Sequence, residues 1–172
     1  TLAEAKAHLR VTASDEDTLI GALVATATGM VSEMSGRVLG EEVWRWSFKP
    51  DGAMVFPRVP VVSVDEITYL DAAWDEQTAT VGDFVVTADP DYPKIMPGFA
   101  ASWPVTAVRD DAVTVEFTAG FTDVPAELKH AILLIVGHLY ANREASTEGA
   151  ITDLPLGVEA MVALHRRGWV AA

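Results

Sequence analysis

The spacing of apolar residues changes twice along the chain, and this change limits the folds that are open to it. Apolar residues recur every three to four positions in the first 36 residues and again after Gly120, as they do in amphipathic helices. Between these regions they alternate, and Trp44, Trp46 and Phe48 share one side of a predicted strand over residues 42–48. The order helix, helix, β segment, helix, helix predicts an α+β fold.

The points where one pattern gives way to the other predict the domain boundaries. We predict a helical bundle formed by residues 1–37 and 122–167, interrupted by an inserted antiparallel β-sheet or small barrel over residues 38–121. Antiparallel pairing is favoured because no crossover helices separate the predicted strands. Residues 71–80 are predicted to connect a hairpin, and residues 89–104, rich in Pro, Gly and Asp, to form a long surface loop. Residues 168–172 form a C-terminal tail.

The same periodicities predict which side chains face the core. The second helix is expected to bury one stripe of four residues, Leu19, Leu23, Ala27 (or Met30) and Met34. A strand over residues 61–70 is expected to point four side chains inward, with a β-bulge that shifts the alternation: Val62, Val64, Ile67 and Tyr69. The last helix, over residues 157–167, carries four apolar residues, Val158, Met161, Val162 and Leu164.

The net charge argues against a protein that reads duplex DNA. The chain of 172 residues has 12 Lys and Arg against 25 Asp and Glu, a formal charge of −13. Phosphate binding depends on clustered basic residues, and the only adjacent pair is Arg166 and Arg167. Two interpretations stay open, a solvated acidic surface that favours solubility and a wall that repels DNA and lets it slide.

No membrane span and no catalytic arrangement is predicted. The most apolar run, residues 131–136, is far shorter than the roughly 18 apolar residues that a span requires. Glu127 and His130 have the spacing of helical di-metal sites, but the second such pair is missing. The other histidines, His8, His138 and His165, are interpreted as structural or surface residues. We therefore predict no catalytic residue, no metal ligand and no cofactor.

Seven segments of the chain, in this order, resemble the head–tail connector (adaptor) proteins of long-tailed phages, prophages and gene transfer agents. They are residues 2–11, 57–69, 103–104, 113–121, 124–134, 139–144 and 154–158. The chain departs from the family where Phe84 and Phe121 replace an expected tyrosine and where the turn at residues 72–74 lacks a glycine. These departures concern the β segment and leave the helices unaffected.

The resemblance implies a non-enzymatic structural subunit at the head–tail junction of a virion or phage-like particle, assembled in the host cytoplasm. It implies a ring, usually dodecameric, below the portal protein, where it extends the DNA channel and meets a tail-side connector or terminator protein. DNA passes through this ring without sequence-specific binding. Two alternatives stay open, a tail-terminator or tail-completion subunit of the same particle and a small metal-dependent hydrolase.

The C-terminal end is the predicted contact with the portal protein or a neighbouring subunit. Arg and Trp dominate the energetics of protein interfaces, and both occur near the end of the chain. The predicted partner-binding residues are Leu154, Pro155, Arg166, Arg167, Trp169 and Val170. In the alternative interpretation, Trp169 packs onto its own domain.

Overall fold

The structure is a computed structural model, and it describes residues 1–142 and 157–168. The helices of this part are α1 (Leu2–Leu9), α2 (Asp17–Ser35), α3 (Ala126–Ala141) and α4 (Val158–Ala163). The strands are β1 (Glu42–Phe48), β2 (Met54–Val55), β3 (Val61–Leu70), β4 (Glu76–Ala79), β5 (Phe84–Val86), β6 (Lys94–Pro97) and β7 (Val113–Ala119). These elements confirm the predicted α+β class.

The chain forms two compact units. One, the helical unit, contains Thr1–Gly36 and Val124–Ala172, and the other, the β unit, contains Arg37–Asp123. The helical unit is thus built from both ends of the chain, and the β unit from its middle.

The core of the helical unit forms where α2 packs against α3. The buried stripe of α2 is Ile20, Ala27, Val31 and Ser35. The predicted stripe is wrong for Leu19, which is 37% exposed. Periodicity locates this helix correctly but not its rotation about its own axis, because apolar residues occupy more than one side of α2 and the contact with α3 selects one of them.

The last helix is shorter than predicted. Helix α4 ends at Ala163 and buries Val158 and Val162. Leu164, which the predicted helix also carries, is 73% exposed, because it lies about 200° around the helix axis from the buried Val162.

Helix α2 is also long and apolar enough, by length and composition, to cross a membrane. The core helix of a globular protein passes the same test, and the stripe from Ile20 to Val31 is buried in the unit. That no segment of the chain spans a membrane stays a prediction.

The β unit contains two antiparallel sheets. The first has the strand order β1-β7-β3-β4 and the second β2-β6-β5. Neither closes into a barrel, so the sheet, and not the small barrel, is correct. Buried residues from both sheets form one core, in which the rings of Phe56 and Phe117 lie 4.9 Å apart.

The inward side chains of β3 follow two irregularities in its pairing with β7. The register shifts between Val61 and Ser63 and again between Val64 and Glu66. The predicted bulge is confirmed, but Val62 is 47% exposed and its inward assignment is wrong. Because of the two shifts, the inner positions are three residues apart in this half of the strand.

Two predicted connections contain strands. Residues 71–80 include β4, which pairs with β3, and residues 89–104 include β6, which is the central strand of the second sheet. Strand β6 has four residues and ends at Pro97, and its fully buried residue is Ile95. So short a strand between prolines shows too little alternation to be distinguished from a loop.

Candidate interaction surfaces

The described part of the predicted C-terminal contact lies against the end of α2. Arg166 Nε donates to the carbonyl oxygen of Met34 at 3.1 Å, and the backbone N–H of Arg167 donates to that of Ser35 at 2.8 Å. Carbonyl groups in the last turn of a helix have no intrahelical donor, so residues 166–167 cap α2. The other four predicted contact residues, Leu154, Pro155, Trp169 and Val170, lie outside the described residues.

Glu127 is paired with a histidine that its sequence neighbours do not indicate. Its Oε2 lies 3.3 Å from His165 Nε2, whereas the sequence pattern associates it with His130. The pKa of the Glu127 carboxyl is below its ordinary value, first because its own backbone N–H bonds to it and second because His165 does. The two residues are 38 positions apart, so no local spacing could have predicted the contact.

The outer side of the first sheet is polar because its strands alternate. In β7, Val113, Val115 and Phe117 are buried, whereas Thr114 and Glu116 are partly exposed on the opposite side. Seven residues line an open depression of about 340 Å³ here, which we call the acidic face: Arg45, Ser47, Glu66, Thr68, Glu76, Thr114 and Glu116.

Cross-strand pairs organise the acidic face. Glu116 lies directly opposite Arg45 of β1 and Glu66 of β3. Arg45 Nε donates to Glu116 Oε2 at 2.7 Å. This hydrogen bond is the main cause that raises the pKa of Arg45, and the charges of Glu116, Glu66 and Glu76 raise it further. With three carboxylates and one guanidinium, the face has an excess of negative charge.

The imbalance extends over the β unit. Within Arg37–Asp123 there are 6 Lys and Arg against 15 Asp and Glu, or 6 − 15 = −9, which leaves −4 of the total −13 for the helical unit. Most of the negative charge of the chain therefore belongs to the β unit.

The hydroxyl groups of the acidic face bond among themselves where the structure shows their partners. The hydroxyls of Ser47 and Thr114 bond to each other at 2.8 Å, and no histidine lines the depression. Across residues 1–142 and 157–168, no group of three or more His, Asp or Glu side chains is placed to hold a metal ion.

Comparison with known proteins gives a family match and several structural matches. The model of a family described as phage gp6-like head-tail connector proteins matches residues 1–94. This span covers α1, α2 and the β unit as far as the first residue of β6, which is more than half of the chain. None of the curated proteins compared with the chain matches it.

Three similar solved structures come from gene transfer agent (GTA) particles. One is described as the neck of an empty GTA particle computed with C6 symmetry; it is 24% identical, has a TM-score of 0.81, and the match covers 98% of this chain and 90% of that one. A second, described as the virion of a native GTA particle, is 24% identical with a TM-score of 0.78, and the match covers 98% of this chain and 90% of that one. A third, described as the neck of a native GTA particle computed with C12 symmetry, is 23% identical with a TM-score of 0.78, and the match covers 98% of this chain and 89% of that one. At these identities the structures establish a shared fold over nearly the whole chain.

Proposed function

The chain belongs to the family of phage gp6-like head-tail connector proteins, and from this premise we propose that it assembles as a ring below a portal protein. In this position it extends the channel through which DNA leaves the head, and it presents a docking surface to a tail-side connector or terminator protein. The observation that carries the proposal is the family match over residues 1–94.

A twelve-subunit ring is the proposed form of assembly. Two of the similar structures are necks computed with sixfold and twelvefold symmetry, and both numbers divide twelve. A ring also requires that each subunit contact its neighbours through two different surfaces. A chain with two distinct units can supply these surfaces.

The acidic face is proposed to line the channel. Duplex DNA carries about one negative charge per 1.7 Å of its axis, so a wall with an excess of Glu repels it and offers no phosphate-binding cluster. The three carboxylates of the acidic face and the charge of −9 on the β unit support this assignment. DNA would then move past without sequence-specific contacts.

We propose that the subunit acts without catalysing a reaction. Connectors are structural parts of a virion, and no histidine lines the acidic face, where the hydroxyls of Ser47 and Thr114 bond to each other. Two alternatives differ from this proposal in a measurable way. A tail-terminator or tail-completion subunit would bind a different partner, and a small metal-dependent hydrolase would turn over a substrate.

The C-terminal segment is proposed to be the docking arm toward the portal or a neighbouring subunit, through Leu154, Pro155, Arg166, Arg167, Trp169 and Val170. Arg166 already donates to Met34 and the N–H of Arg167 to Ser35. Capping of α2 thus holds the base of the arm.

The test is to reconstitute the complex with the portal protein encoded in the same gene cluster. Purified chain and portal are mixed, and the product is imaged by electron microscopy. A ring of this chain on the narrow end of the portal is expected. If the chain binds the end of a tail tube and ignores the portal, the terminator alternative is correct and the connector proposal fails.

A further inference from the structure

A fully exposed aromatic side chain stands on the connection between β6 and β7. Phe99 has no shielding from the rest of the described chain, and Val105 and Val108 on the same connection are 83% and 93% exposed. Aromatic residues are enriched at the centres of protein interfaces. The connection therefore has the composition of a docking element.

Hydrogen bonds and ring contacts hold this connection to the β unit on both sides of Phe99. The N–H of Gly98 donates to the carbonyl oxygen of Asp83 at 2.8 Å, and Trp103 Nε1 donates to that of Gly52 at 2.7 Å. The Trp103 ring also packs 4.8 Å from that of Phe84. A docking element that is already ordered loses less conformational entropy on binding.

The same stretch is without charge in a chain that is otherwise strongly acidic. Residues 95–108 include no Asp, Glu, Lys or Arg, although the β unit has a net charge of −9. Two copies of the chain repel each other wherever their acidic surfaces meet. An uncharged segment with an exposed Phe is where one copy can approach another without this repulsion.

The helical unit has a cleft that fits an aromatic side chain. It has a volume of about 90 Å³. Its apolar lining comes from α1, α2 and α3 through Ala5, Val24, Ile132 and Leu133. A closed cavity of ~150 Å³ holds a whole benzene molecule, so this smaller open cleft can take the outer part of one phenyl ring. The exposed charged side chains beside it, Glu4 and Lys129, have opposite signs.

We propose that Phe99 of one copy inserts into the cleft between α1, α2 and α3 of the next copy. This inference rests on the proposed connector function and names the contact that joins neighbours in its ring. The two surfaces are different, so the contact is heterologous, the type of contact that builds a ring when its rotation closes. The uncharged loop and the apolar cleft match each other chemically.

Because the chain contains no cysteine, introduced pairs report on this contact alone. The double variant F99C/T28C places one thiol on the loop and one in the lining of the cleft. In particles made by the gene cluster that encodes this chain, mild oxidation is expected to give a ladder of three or more linked copies on a non-reducing gel. F99C alone and the control V43C/T28C, with an exposed position on β1, are expected to give no ladder.

A second pair of variants measures how much the phenyl ring of Phe99 contributes to assembly of the neck. F99S is expected to lower the amount of chain in purified necks roughly ten- to a hundredfold, as the loss of one buried Phe implies, whereas V43S leaves it at the wild-type level. Phe99 is exposed, so F99S keeps the fold, which circular dichroism checks.

The outcomes separate this inference from the proposed function. In one outcome, gold-labelled antibody locates the wild-type chain at the neck while F99C/T28C gives no ladder. That result overturns the cleft contact and leaves the connector function standing. Cross-links from F99C to the portal alone also overturn it. A chain that is absent from the neck overturns the connector function, whatever its copies do to one another.

Discussion

Gly120 occupies a backbone conformation and a space that exclude a side chain. Its φ is +134°, and a Cβ at this position would lie 2.1 Å from the carbonyl oxygen of Gly40. Its own N–H donates to the carbonyl oxygen of Pro60 at 2.8 Å. The residue thus lets three segments of the β unit meet at the end of β7, immediately before the chain leaves for α3.

We expect Gly120→Ala to lower the free energy of unfolding by roughly 2–4 kcal/mol, since both strain and overlap would have to be relieved. Gly82→Ala is the control, because nothing lies within 4 Å of a Cβ there. Urea denaturation followed by circular dichroism compares the two. Equal midpoints for the two variants would show that the close approach at Gly120 is not as described.

The contact between His165 and Glu127 makes a prediction about pKa. His165→Ala is expected to raise the pKa of Glu127 toward the ordinary value of 4.5 without reaching it, because the larger cause, its own backbone N–H, stays in place. His130→Ala should leave that pKa unchanged. Carbon-13 NMR of the Glu127 carboxyl during an acid titration measures both. An effect of His130 equal to that of His165 would contradict the observed contact between Glu127 and His165.

The sign of the pH effect follows from the direction of the shift. A carboxyl whose pKa is lower in the folded state stabilises the fold above its unfolded pKa. This stabilisation disappears as the pH falls through the folded pKa, below 4.5 for Glu127. The difference in free energy of unfolding between wild type and His165→Ala should therefore narrow as the pH falls through the folded pKa of Glu127.

At the scale of elements, the sequence pattern predicts what is long and periodic and misses what tertiary contacts decide. The helices, the strand of Trp44 and Trp46, and the bulge in β3 follow from spacing alone. Strand β6 does not, because its place comes from pairing with β2 and β5 on either side. The acidic face was also missed, since Arg45 and Glu116 are 71 positions apart and meet only through the register of β1 and β7.

The rotation of α2 can be tested with two adjacent leucine-sized residues. Ile20→Ala is expected to cost about 2–5 kcal/mol, as for other large residues truncated in a core, because Ile20 is fully buried. Leu19→Ala should cost less than about 1 kcal/mol, given its 37% exposure. Thermal unfolding of both variants gives the comparison. The reverse order would favour the stripe predicted from the sequence.

The acidic face can be tested by reversing its charge. Glu66→Lys together with Glu76→Lys makes the acidic face positively charged. DNA should then be retained in the channel, and its release from the particle should slow. Asp15→Lys with Glu33→Lys makes the same charge change in the helical unit and is expected to have little effect. Fluorescent-dye release of DNA from triggered particles gives the rate. Equal rates for the two double variants would remove this face from the channel.

For the whole molecule, the division of charge and apolar surface between the two units suggests different tasks. The β unit has most of the negative charge and the exposed loop with Phe99. The helical unit has the apolar cleft and the capped end of α2 at Ser35. A ring in which the β units face DNA and the helical units receive neighbours would use both without placing like charges in contact.

The C-terminal arm is the part of this assembly whose removal should separate joining from folding. Deleting residues 168–172 leaves Arg166 and Arg167 in place, so the carbonyl groups of Met34 and Ser35 keep their donors, and the subunit should unfold at the wild-type temperature. If the arm docks a partner as proposed, joining needs the missing residues, and electron microscopy should then show filled heads and free tails. Arg166→Ala removes a proposed arm residue and a donor to Met34 together, so it should weaken joining and also lower stability by about 0.5–1.5 kcal/mol through the lost hydrogen bond. Tailed particles from the deletion variant would mean that the arm only packs on its own subunit, and that docking belongs to another surface of the ring.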